Sequence, residues 1–243
     1  MEFVKLREIP IDDTKIPKYD ARVSTKPILL ECNILNNIPF LNEKKKLSII
    51  ASLPGLGKST FMFQVATTCA LTNNPSYIFS LKETKEEVFY RIFSIVRNKD
   101  TINELPLEIC CDKKLTIDDL EKSITAHISD GIVFVDSLEL VDSPSFRRTV
   151  AKLKSIAVDK NLHIVLVASH PRMDGNINER LKVLSKLKHF SIADNIMVLH
   201  RGPFNFKQPE KGNESELMVT DGDFSKIDIQ TLYWQRALFA QEK

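Results

Sequence analysis

Residues Leu47 to Gln64 read LSIIASLPGLGKSTFMFQ. An apolar, β-rich run (Leu47, Ile49, Ile50) leads into Pro54-Gly55-Leu56-Gly57-Lys58-Ser59-Thr60. An apolar pattern at helical spacing follows at once through Phe61, Met62, Val65, Ala66 and Cys69. Strand, glycine-bearing turn, Lys-Ser and helix form the context that a phosphate-binding loop requires. Gly55 and Gly57 let the backbone turn its N–H groups inward, and the new helix start adds the positive end of its dipole. In this reading Ser52, Pro54, Gly55, Leu56, Gly57, Lys58, Ser59 and Thr60 wrap the phosphates. Lys58 reaches the terminal ones, and the Ser59 hydroxyl takes a place on Mg²⁺. The pattern G-x-x-x-x-G-K-[ST] is met except at its first position, which is Ser52. The bland alternative is an ordinary strand–loop–helix corner with a buried lysine stem, and the flanking periodicity argues against it.

Outward from this stretch, composition sets the bounds. The chain has 243 residues, 43% hydrophobic and 27% charged, which suits one α/β domain with or without a short arm. The net charge of +2 does not advertise nucleic acid, so local patches must carry any such role. No apolar run approaches the ~18 residues needed to cross a bilayer. The start, MEFVKLREIPIDD, lacks a signal-peptide layout. The four cysteines, Cys32, Cys69, Cys110 and Cys111, include an adjacent pair but no C-x-x-C. They read as reduced core residues of an intracellular, cytoplasmic protein.

Residues 1–26, broken by Pro10 and Pro17, read as an arm, either a tail or a strap on a neighbouring subunit. Beyond the loop and its helix, buried strands are expected at Ser76–Leu81, Pro106–Cys111, Ile132–Val135, His163–Ala168 and Ile192–Leu199. Helices are expected at Thr84–Val96, from Thr116, at Ser145–Val158 and within residues 173–190. Thr84 and Thr116 are the expected caps, with Glu86, Glu87, Asp118 and Asp119 in first turns. Ser215–Thr220 and Asp228–Trp234 suit a terminal antiparallel pair. Near-continuous apolar strands alternating with helices predict a mainly parallel, twisted α/β sheet covered on both faces.

Ile132-Val133-Phe134-Val135-Asp136 is an apolar strand ending in a carboxylate. It delivers Asp136 to the carboxyl edge of the sheet, where it can orient the water shell of the Mg²⁺ that Ser59 touches. On these residues the chain resembles the ATPase domain of DnaB-type replicative helicases, within the RecA-like phosphate-loop ATPases. The likeness runs through Val23-Ser24-Thr25, LSIIASLPGLGKSTFMFQVA, IFSLKETKEEVFYRIFS, LEICCDKKLTIDDLEKSI, IVFVDSLELVD, HIVLVASHPR, SIADNIMVLHR and Trp234-Gln235-Arg236. It covers residues 22–238 in order, leaving 1–21 as an N-terminal arm and 22–243 as one RecA-like domain, with no room for a separate N-terminal collar. The resemblance implies ATP and Mg²⁺ as cofactors, a homo-oligomeric ring or filament, single-stranded DNA and other replication proteins as partners, and no membrane.

The chain departs from the family at four places. Where the family carries a catalytic glutamate after its second strand, this chain has Ser80-Leu81-Lys82, and Glu83 follows. Adjacent strand residues face opposite sides, so Glu83 serves as the general base only where the strand has ended or bulged before it. His170 replaces the family's sensor glutamine at the γ-phosphate. Trp234 replaces the lysine ahead of Arg236, the residue matching the arginine finger that reaches a neighbour's ATP. The segment Ser143–Arg148 is short where DNA-contacting loops are longer. Arg172, Arg180, Lys182, Lys186 and Lys188 are the DNA-facing candidates, against the plainer reading of a solvated helix face. The leading expectation is an oligomeric, Mg-dependent ATPase acting on single-stranded DNA. Its rivals are a hydrolysis-deficient, ATP-binding accessory protein and a recombinase-like filament protein.

Overall fold

The computed structural model describes residues 2–12, 14, 41, 43–170, 177–200, 214–235 and 238–240, with only the backbone described at 177, 178, 214, 233–235 and 238–240. In chain order the strands and helices are β1 (Val4–Lys5), β2 (Lys46–Ser52), α1 (Lys58–Leu71), β3 (Ser76–Ser80), α2 (Lys85–Val96), α3 (Lys99–Glu104), β4 (Leu107–Cys110), β5 (Leu115–Thr116), α4 (Ile117–His127), β6 (Ile132–Asp136), β7 (Val141–Asp142), α5 (Phe146–Asp159), β8 (His163–Ser169), α6 (Ile177–Ser185), β9 (Asn195–His200), β10 (Glu214–Asp221), β11 (Ile227–Gln235) and β12 (Leu238–Ala240).

Ten of these strands form one sheet in the order β1-β4-β3-β6-β8-β2-β9-β10-β11-β12. From β4 to β9 the neighbours are parallel. Antiparallel strands extend it, β1 on one side and β10 to β12 on the other. Each central strand is buried on both faces, because alternate side chains feed two cores. Ile50, Ile78, Phe134, Val165 and Met197 pack with Phe61, Phe63, Phe89 and Ile92 of α1 and α2. Leu47, Ile49, Phe79, Val133, Val135 and Leu166 pack with Leu120, Ile124, Val150 and Leu153 of α4 and α5.

The helix starts follow the expected chemistry. Thr84 accepts a hydrogen bond from the Glu87 N–H at 3.3 Å while the Glu87 carboxylate accepts from the Thr84 N–H at 2.8 Å. Thr116 and Asp119 make the same reciprocal pair. Cys69, Cys110 and Cys111 are unbridged, and burial pushes their thiols up to about 12, 11 and 12. Cys32 lies outside the described residues.

The structure also revises the margins. The start of the expected arm is β1, paired with β4 as Val4↔Ile109 and Lys5↔Glu108, and Leu6 and Ile9 are buried. The last parallel strand begins at Asn195 rather than Ile192, because Phe190–Ile192 closes into a 3₁₀ turn first.

Candidate functional site

The strand registers bring four carboxyl ends into a row. Ser52 pairs with Ser169, Val167 with Asp136, and Asp136 with Ser80, so the ends of β2, β8, β6 and β3 lie side by side. Ligands of open α/β sheets bind outside this edge. Beyond β2 the chain turns through Gly55 at φ 81° and Gly57 at φ 93°, where a side chain would cost about 1–2 kcal/mol. Gly57 caps α1, and its carbonyl accepts from the Phe61 N–H at 2.9 Å. The first-turn N–H groups of α1 have no carbonyl partner within the helix, which leaves them for an anion. Lys58, the first helical residue, is 9% exposed. Burial lowers its pKa, Lys82 lowers it further, and Glu139 and Asp136 pull it back up.

Asp136 ends β6 on the Phe134 side of the strand, facing α1, and is 0% exposed. Its charge is met by Lys82. The Lys82 ammonium donates to Ser59 Oγ at 2.6 Å and to Asp136 Oδ1 at 3.1 Å, and lies 3.1 Å from Oδ2. A hydroxyl and a carboxylate are the hard oxygen donors that magnesium takes, at about 2.0–2.1 Å and with several retained waters. Here the ammonium nitrogen fills the position between those donors, and a divalent cation there would sit against a like charge. The ion expected between Ser59 and Asp136 therefore does not fit while Lys82 holds this place. Among the described residues no group of three or more His, Cys, Asp or Glu converges to hold a metal elsewhere.

Glu83 lies past the end of β3, so strand alternation no longer governs it. Its carboxylate accepts from Arg91 Nε at 2.7 Å, and the Arg91 guanidinium lies over the Phe63 ring at 5.7 Å. Glu83 thus lines a surface cavity with Glu87, Tyr90, Arg91 and Ser94 of α2. The side chain that reaches Ser59 and Asp136 is Lys82. His170 is buried directly after β8, and its N–H donates to the Ser52 carbonyl at 3.2 Å, which ties it to the base of the loop.

Glu139 was not singled out from the sequence. It sits in the turn after Asp136, accepts a hydrogen bond from the Ser169 N–H, and acts electrostatically on Lys58. Its signal was faint, a single acidic residue three places beyond the strand-ending aspartate. Of the DNA-facing candidates, Arg180 pairs with Glu216 at 2.6 Å, while Lys182, Lys186 and Lys188 are exposed on and after α6. Arg172, Arg236 and the segment 23–25 lie outside the described residues. No helix among the described residues is long and apolar enough to cross a membrane.

No protein-family model matches the chain. It is 24% identical to a probable replicative DNA helicase of Trieres chinensis, over 82% of this chain and 53% of the relative. It is also 24% identical to the replicative DNA helicase DnaB of Leifsonia xyli subsp. xyli (strain CTCB07), over 72% of this chain and 46% of the relative. The chain thus spans about half the length of these two relatives. Among solved structures, one described as an ATPase domain superposes with a TM-score of 0.67 at 16% identity, covering 82% of this chain and 86% of that one. A DnaB-like replicative helicase, solved with attention to its interactions with primase, gives 0.67 at 14% identity, covering 83% and 58%. This chain thus shares its fold with an ATPase domain and with a DnaB-like replicative helicase of known structure, and its sequence is similar to that of two replicative DNA helicases.

Proposed function

We propose that the chain binds ATP in the loop of residues 52–60 and serves DNA replication as a subunit of an oligomer, with the nucleotide held between copies. One observation carries this reading: Lys58, Ser59 and Asp136 converge at the carboxyl edge beside a helix start whose N–H groups suit a phosphate. The loop N–H groups and Lys58 bind the phosphates, and His170, tied to the end of β2, lies on the path to the γ-phosphate. Arg236 of a neighbouring copy completes the site. The exposed Lys182, Lys186 and Lys188, with Arg172 and Arg180, face DNA.

Binding is expected to outlast turnover. A general base must lie within hydrogen-bond reach of the attacking water, and it must be able to take a proton. The side chain beside Ser59 is a lysine, and the nearby Glu83 is held by Arg91. In this reading ATP acts as glue between subunits more than as fuel.

The similarity to two replicative helicases favours a second reading, a working single-stranded-DNA motor. Calorimetric titration with ATP tests the shared premise, and Lys58→Ala is expected to weaken binding about 10- to 100-fold. ATP turnover with and without single-stranded DNA separates the two readings. Negligible turnover in both conditions supports the glue, and DNA-stimulated turnover supports the motor.

A further inference from the structure

We propose that the Lys82 ammonium is a resident cation that stands in for magnesium at this site, so that the nucleotide is taken up as the metal-free triphosphate. This rests on the ATP-binding reading above and names the form of the ligand.

Position is the first argument. Lys82 Nζ lies 2.6 Å from Ser59 Oγ and 3.1 Å from both Asp136 oxygens, so one cation already joins the loop to the end of β6. Burial is the second. Asp136 is 0% exposed, and a carboxylate removed from water needs a cation or several donors beside it. Lys82 meets that need from a side chain that is 36% exposed, reaching in over the rim of the site.

Valence is the third. An ammonium has three donors and no acceptor. Ser59 and Asp136 take two of them, which leaves one for a phosphate oxygen. Because Ser59 Oγ accepts from Lys82, its own O–H is left to donate to the phosphates, whereas on a metal that oxygen would be a ligand. Lys58 and Lys82 together then set two ammonium charges against the triphosphate, with Asp136 fixing the second. The charge that a divalent ion would carry to the site is already built into the chain.

The test is the affinity of the full chain for ATP, measured by calorimetry in excess Mg²⁺ and again in EDTA. The wild type is expected to bind within about threefold in the two buffers, and Lys82→Arg, which keeps the charge, to remain metal-indifferent. Lys82→Met, which keeps the stem and removes the charge, is expected to lose affinity in EDTA and to gain at least about tenfold from Mg²⁺. Wild-type binding that falls by about tenfold or more in EDTA overturns the proposal and leaves the ATP-binding reading standing. That result would make Lys82 a latch that swings aside for the metal. Lys82→Met binding as well as wild type in EDTA also overturns it. Absence of ATP affinity in both buffers defeats the ATP-binding reading, and this proposal with it. The wild-type comparison decides the matter even where a variant folds poorly.

Discussion

Two lysine–aspartate pairs close opposite ends of the same parallel sheet, and they behave as different devices. At the amino end, Lys154 pairs with Asp194, whose carboxylate also accepts from the Leu47 N–H at 2.7 Å. Lys154 donates as well to the Lys45 carbonyl at 3.2 Å. Beside them the His163 ring bridges Ser48 Oγ at 2.8 Å and the Glu43 carbonyl at 2.9 Å. Main-chain groups anchor Asp194, Lys154 and His163, so the cluster holds the starts of β2 and β8 in one geometry. At the carboxyl end, Lys82 pairs with Asp136, and its other partner is a side-chain hydroxyl, Ser59. No backbone carbonyl fixes that ammonium among the contacts described. The same two residue types therefore make a fastener where main chain joins in, and a charge presented to a ligand where one side chain reaches in from the rim.

The largest effect is expected from changing the charge at the carboxyl end. Lys82→Glu places a carboxylate where a proton acceptor is lacking, and it should raise ATP turnover about 10²-fold or more in the presence of Mg²⁺. Steady-state phosphate release measures this, and an unchanged rate would show that a missing base is not what limits the native chain.

The anchored end answers to pH instead. Burial lowers the His163 pKa from 6.5 to about 4. Between those values the unfolded chain takes the proton and the folded chain does not, so acid favours unfolding. The stability from a neutral His163 is complete above about pH 6.5 and is lost progressively down to about pH 4, on the order of 3 kcal/mol in all. Urea melts across that window check it, and His163→Gln should flatten the dependence.

Asp194→Ala is expected to cost about 2 kcal/mol, below the range for a fully buried pair because Asp194 is 22% exposed. ATP affinity should not move with it. A fall in affinity equal to that of Lys58→Ala would mean that the two ends are coupled and the contrast between them is false. The smallest effect belongs to Thr84→Ala, which removes the cap of α2 and should cost about 1 kcal/mol in the same melts. Because α2 carries Arg91, that variant also asks whether Glu83 stays paired when the helix start frays.

Much of this contrast was visible in the chain itself. The step from the Leu47–Ile50 run through Gly55 and Gly57 to Lys58 is local, so strand, turn and helix declared themselves in one window. The caps at Thr84 and Thr116 were equally local, each needing one acidic residue three places on. Strand-ending Asp136 was legible because four apolar residues precede it. What escaped depended on distant partners. β1 and β5 are two residues each and show no periodicity, and they exist as strands because β4 and β7 lie beside them. α3 is a six-residue helix announced chiefly by its Asn98 cap. The bridge from Lys82 joins residues 23 and 54 positions away, a convergence that only the sheet order creates. The Glu83–Arg91 pair spans only eight residues, but the Arg91 guanidinium is also placed over the Phe63 ring of α1, a distant partner that the local pattern does not announce.

The central claim is that the 52–60 loop encloses a triphosphate, and calorimetric titration of the purified chain with ATP tests it most directly. The account predicts saturable binding in the wild type that weakens about 10- to 100-fold in Lys58→Ala while the melting temperature stays within about 2 °C. Absence of measurable heat up to millimolar ATP, or equal affinity in the two proteins, would contradict it.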